Sequence, residues 1–159
     1  MTLPAGHQLL ASEMTALVNP VRYGFSARRV ANQSINSAAL TAISWDIVDR
    51  DNSPSFLTVT TTTATIPADG AGIYAVTAKQ LLSANTTGRT FMEINVTSSL
   101  TGLTTDYRLP TPVNAEGGRI VVSIAVPFAA ADTFVVNTFQ TSAGALNLTG
   151  LLTCYRVSP

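Results

Sequence analysis

Surface chemistry needs a nucleophile, a proton carrier or a set of metal ligands, and this 159-residue chain is short of all three. Its one histidine is His7 and its one cysteine is Cys154. A hydrolytic triad needs a base, usually histidine, but His7 precedes any strand pattern, in a segment whose exposure accounts for a polar side chain. One Cys and one His cannot build a zinc site. Cys154 sits in the apolar run Leu151-Leu152-Thr153-Cys154-Tyr155, where a buried, inert thiol is expected, and a single cysteine excludes an intrachain disulfide. Asp46, Asp49 and Asp51 cluster in a segment that reads as a turn, where Asp belongs. As a calcium loop it lacks the glycine and the distal glutamate. Glycoside hydrolysis needs two carboxylates, and Glu93 with Asp106 or Glu116 is the pair the chain offers. The Gly-rich stretch Ala68-Asp69-Gly70-Ala71-Gly72 precedes a strand pattern, whereas a phosphate loop must open a helix; it reads as a tight turn. Asn-X-Ser/Thr triplets begin at Asn32, Asn85, Asn95 and Asn147, and in so Thr- and Ser-rich a chain they arise by chance. No catalytic, cofactor-binding or metal-ligating residue is expected.

Composition points away from catalysis in the same direction. Hydrophobic residues make up 46% and charged residues 11%, against roughly a quarter charged in ordinary globular proteins. Thr, Ser and Asn replace the missing charge, and β-branched Thr suits a pleated surface. Nine Lys and Arg balance nine Asp and Glu, so there is no electrostatic footprint for nucleic acid or an anionic membrane. A neutral, weakly charged surface tends to self-associate, which suits a protein that works inside an assembly. The longest apolar stretch, residues 120–131, is too short to span a bilayer and carries Ser123 and Pro127. The opening residues have neither a basic nor an apolar leader segment, so synthesis in the cytosol is expected.

Two textures divide the chain. Residues 1–30 read as an arm. Within it, residues 9–18 carry Leu10, Met14, Leu17 and Val18 at helical spacing before Pro20. Two or three turns cannot hold themselves together in water, so this helix must dock on something. Residues 22–30 read as an extended connector. From residue 31 the period becomes two. Strands are expected around residues 40–45, 56–66 (a strand pair or one bent strand), 73–81, 89–96, 119–128, 133–141 and 146–157, with a turn at 49–54 and a loop holding Pro110 and Pro112. Seven or eight short strands with Gly, Pro, Asn and Asp turns argue for an antiparallel sandwich. Trp45, Tyr74, Phe91, Phe134, Phe139 and Tyr155 fall on these strands, where packing explains them better than stacking on bases.

The runs Ala31-Asn32-Gln33-Ser34-Ile35, Thr41-Ala42-Ile43-Ser44-Trp45-Asp46, Ile66-Pro67-Ala68-Asp69-Gly70 with Gly72-Ile73-Tyr74, Asn85-Thr86-Thr87-Gly88-Arg89 and Gln140-Thr141-Ser142-Ala143-Gly144-Ala145-Leu146-Asn147 occur in this order over about 120 residues. This order resembles the C1q/TNF-like jelly-roll modules in structural proteins of tailed phages, especially those of actinobacteria. Ala71-Gly72 departs from the pattern as a one-residue insertion after Gly70. The arm also looks like the openings of phage tail-region proteins.

The resemblance implies an all-β antiparallel jelly-roll head (residues 31–159) behind an N-terminal arm with a small helix. It also implies a homotrimer around a threefold axis and attachment to a virion through the arm. Low charge and abundant Thr agree, since sheet faces are well hidden by oligomerisation. Tyr74, Phe91, Phe139 and Tyr155 are the residues expected at the trimer axis, and Leu10, Met14, Leu17 and Val18 those expected to anchor on capsid or tail proteins. A capsid decoration protein and a minor tail protein both fit. The loops at 49–55 and 101–116 would then meet a host-surface glycan. The rivals are a free lectin-like module using Tyr23, Phe25 or Tyr107, and a depolymerase using the carboxylates above.

Overall fold

The computed structural model describes residues 23–51, 56, 61–84, 87–112 and 118–158. The expected arm helix, with Leu10, Met14, Leu17 and Val18, lies outside them, as do His7 and Glu116. Ten strands follow in order: β1 (Gly24–Ile35), β2 (Thr41–Ala42), β3 (Ile47–Asp51), β4 (Thr63–Thr65), β5 (Gly72–Leu82), β6 (Arg89–Thr97), β7 (Thr104–Pro112), β8 (Arg119–Phe128), β9 (Thr133–Gln140) and β10 (Leu146–Ser158). They form two antiparallel sheets, β3-β1-β10-β5-β8 and β2-β9-β6-β7, with β4 also pairing β9. This is the antiparallel jelly roll expected from the sequence.

Alternation drives the assembly. On β5, Tyr74, Val76, Ala78, Gln80 and Leu82 are buried while the residues between them face out. On β6 and β9, Met92, Ile94, Phe134 and Val136 close the core from the other sheet. Phe25, Phe56, Tyr74, Phe128 and Phe134 form a chain of aromatic contacts with centroids 5.4–6.1 Å apart. Each such burial contributes about 1.5–3 kcal/mol. Trp45 fills the space over Gly150, where an added Cβ would stand 3.5 Å from the indole and only 2.9 Å from the Lys79 carbonyl.

Strand β1 carries a pronounced irregularity. Arg29 pairs with Gly150 and Gln33 with Leu148, so residues 30–32 together face only Thr149. The amides of Val30 and Ala31 instead donate to the Asp46 carboxylate at 2.7–3.2 Å. Partial burial raises the Asp46 pKa, but these amides together with Arg29 outweigh it and hold the group below the usual range.

Several readings change. Residues 24–30, read as connector, form the first half of β1 and pair with both β10 and β3. Asp49 and Asp51 lie in edge strand β3 rather than in a turn, and Arg28 clasps Asp49 at 2.6 and 2.7 Å. The proline-bearing loop is strand β7. It is the outer strand of its sheet, paired on one side only by β6, which is where proline is tolerated.

Candidate interaction faces

The outward face of the five-stranded sheet is built by alternate residues of β1, β10, β5 and β8. One row across it is all hydroxyl: Ser26, Thr153, Thr77 and Ser123, with the last two hydroxyls 2.7 Å apart. On the Tyr155 side of that row the face is apolar, and on the other side Leu81, Val121 and Leu151 alternate with Arg28, Lys79 and Arg119. Ile73, Leu81, Val121, Leu151, Tyr155 and Val157 remain 38–62% exposed. Tyr155 stands as a knob among Gly24, Ala75 and Ala125, and its ring lies so close over Gly24 that an added Cβ would meet it at 2.5 Å. Towards the β1 irregularity the same face sinks into a depression of about 400 Å³. Arg28, Arg29, Lys79 and Arg119 line it, over Leu81 and Leu151.

The outward face of the other sheet is polar and closed upon itself. Phe91 and Phe139 stack at 4.9 Å, and Arg108 lies 4.2 Å over Phe91. The same guanidinium binds Glu93 at 2.7–2.8 Å, a carboxylate only 2% exposed. Asn137 donates to Asn95, Asn95 donates to Asp106, and the Thr97 and Thr104 hydroxyls meet at 2.9 Å.

The four aromatics expected at the trimer axis therefore do not share a surface. Tyr74 is fully buried in its own core, with its hydroxyl donating to the Gly70 carbonyl at 2.5 Å and its pKa raised by burial to about 12. It has no area to offer a neighbour. Phe91 and Phe139 lie on the polar face, and Tyr155 lies on the apolar one. Sequence reasoning missed Ile73, Leu81, Val121, Leu151 and Val157, which share that face with Tyr155.

The two ends of the sandwich differ. At one end the chain enters at Tyr23 and β10 finishes, joined by the Arg156 amide donating to the Tyr23 carbonyl at 2.9 Å. The Tyr23 hydroxyl donates to Asp69 at 2.6 Å, and that bond, then burial, raises its pKa. The β6–β7 turn lies at this end and projects Leu100 and Leu103, 84% and 71% exposed. Buried Asp132 ties it to the β8–β9 turn by accepting from the Ser99 amide and hydroxyl and the Ala129 amide at 2.7–2.9 Å. A groove of about 680 Å³ runs beside it between the β7 and β8 edges, lined by Val96, Leu103, Tyr107, Val126 and Phe128 among others. The opposite end carries the last residues of β1, β5, β7 and β9. There, Gln140 accepts from Ser142 and donates to the Ile35 and Gly144 carbonyls.

The residues considered for chemistry are dispersed. Among the described residues no three His, Cys, Asp or Glu converge on a metal-sized site. Glu93 is engaged by Arg108 and Asp106 by Asn95. Cys154 is buried, which raises its pKa and suppresses the thiolate. Residues 68–72 lead into β5, as a turn before a strand. Of the aromatics a glycan site would need, Phe25 is fully buried, Tyr23 nearly so, and Tyr107 packs against the core.

The sequence matches no protein-family model and no curated protein. Solved structures share the fold. The globular domain of the zebrafish complement 1qA protein aligns with a TM-score of 0.66 at 12% identity, over 85% of this chain and 97% of that domain. Eiger TNF from S. frugiperda aligns with a TM-score of 0.61 at 12% identity, over 86% and 93%. The PRD1 vertex protein P5 aligns with a TM-score of 0.58 at 18% identity, over 85% and 96%. At such identities the likeness is one of fold: the chain is a C1q/TNF-like jelly roll.

Proposed function

We propose that the chain is a non-enzymatic structural protein of a bacteriophage particle, working as a homotrimer attached to capsid or tail proteins through residues 1–22. The observation that carries this reading is the apolar outward face of the five-stranded sheet in a chain so poor in charge. Together with Val30, the exposed apolar side chains on the two sides of its hydroxyl row leave roughly 500 Å² of apolar surface on this one face. The second apolar surface, Leu100, Leu103 and the groove between the β7 and β8 edges, lies elsewhere on the chain. Two different surfaces that meet make a head-to-tail contact, and a closed ring of three satisfies it. The polar face, already satisfied within the chain, then faces solvent.

The virion assignment is supported by the motif order in the sequence and by the fold shared with the PRD1 vertex protein. Anchoring by residues 1–22 places the head's entry end against the particle and turns the last residues of β1, β5, β7 and β9 outward. The Asp51 end of β3 then faces the particle, because Asp51 pairs with Phe25 near the start of β1. The glycan-binding alternative loses the aromatics on which it rested.

The test is a chain lacking residues 1–22. The truncated head should stay trimeric and fail to join particles; incorporation of the truncated chain would overturn anchoring by the arm. A cut at residue 30 is the wrong experiment, because it removes residues 24–30 of β1 from between β10 and β3. Copy number per particle then separates the two locations, with many lattice positions for a decoration protein and few for a minor tail protein.

A further inference from the structure

We infer that the depression beside the β1 irregularity is an oxyanion site that takes a phosphate-class dianion. Four of the chain's nine cationic residues, Arg28, Arg29, Lys79 and Arg119, line this one hollow, and among the described residues no acid does. Two of them are already answered: Arg28 by Asp49 at 2.6 Å and Arg29 by Asp46 at 3.9 Å. Lys79 and Arg119 are exposed and form no ion pair among the described residues. Two uncompensated charges match one dianion.

The geometry suits the ligand. Lys79 faces Val121 and Arg119 faces Leu81 on the neighbouring strand, so the two are diagonal neighbours, about 7–8 Å apart at the backbone. Their long side chains point from the same side of the sheet and can close on one small group. A guanidinium offers a planar fork that matches a phosphate edge, and an ammonium adds a point charge. Leu81 and Leu151 give the hollow an apolar floor, and charge interactions strengthen when water is displaced from such a surface.

The site stands on one chain and does not need the trimer. If the trimer forms through this face, closing it buries Lys79 and Arg119, and an unpaired buried cation is costly. Asp46, Asp49, Asp69, Glu93, Asp106 and Asp132 are held by their own chain, so a bound oxyanion would supply the missing charge and favour association.

The test titrates the full chain with inorganic phosphate at fixed ionic strength against chloride, reading heat and melting temperature. Saturable binding of one phosphate per chain is expected, with the melting temperature rising beyond the chloride control. Lys79→Met with Arg119→Gln should weaken binding at least tenfold, and Lys79→Arg should retain it. Both positions are exposed, so the variants keep the fold, which circular dichroism checks. Heat no different from chloride, or binding undiminished in the double variant, overturns the site. Native mass measured in parallel separates this claim from the oligomeric one: a monomer that binds phosphate supports the site and counts against the trimer, whereas a trimer without phosphate binding does the reverse.

Discussion

Replacing Tyr155 by Asp should dissociate the assembly while leaving the head folded. The ring is 39% exposed on the outward face of β10, which leaves roughly 80 Å² of a tyrosine side chain for a neighbour to cover. At about 25 cal/mol per Å², its loss removes about 2 kcal/mol per contact, hence about 6 kcal/mol over three contacts. A carboxylate in its place must also be desolvated in each contact, costing several kcal/mol more apiece. Tyr155→Ala isolates the first part and should weaken the trimer by about four decades in its dissociation constant. Both variants lose the same packing over Gly24, so any difference between them belongs to the buried charge. Sedimentation velocity across a wide concentration range reads the association, and circular dichroism confirms the fold. A Tyr155→Asp chain that sediments as the parent does would refute the placement of the contact on this face.

Other consequences concern the head itself. Asp132→Ala removes the acceptor of three hydrogen bonds, two joining the turns and one within the β8–β9 turn, and should cost about 3 kcal/mol, lowering the melting temperature by about 6–12 °C. Arg108→Met strands the buried Glu93 and should cost about 2–3 kcal/mol in denaturant unfolding, with Glu93→Gln in the same chain recovering part of it. Asp46 predicts a pH dependence. Its folded pKa is depressed, so its stabilisation is complete above the unfolded value of about 3.9 and is lost as pH falls through the lower folded value. Asp46→Asn should therefore be less stable than the parent at neutral pH, by about 1–2 kcal/mol, and the gap should close on acidification; a gap that stays constant to the acid limit would count against the carboxylate's role.

The legible part of the fold was the part where period two runs unbroken. Strands β5, β6, β8, β9 and β10 lie within a residue or so of where alternation and turn residues put them. Strand β1 was hidden because Arg28-Arg29 and three unpaired residues interrupt its alternation, and β7 because its prolines are a signal against a strand only where both edges must pair. The acids of β3 looked like turn residues because an edge strand can face them to solvent.

Which aromatics point inward depends on the phase of each strand, and part of that signal was present. Lys79 is the one charge on β5, which sets the odd positions outward and sends Tyr74 into the core. Glu93 does the same on β6 and places Phe91 outward. On β10, Arg156 shares the inward phase of Cys154 and misleads, since its guanidinium reaches over Tyr23. The depression was invisible to sequence because Arg28, Arg29, Lys79 and Arg119 come from three strands and meet only through sheet pairing.

The most direct measurement is the native mass of the full chain by light scattering over a range of concentrations. The account predicts about 50 kDa, three times the 16.7 kDa chain, persisting on dilution. A stable species at the mass of one chain would contradict it, leaving the apolar face of β10, β5 and β8 without the partner on which the proposed function rests.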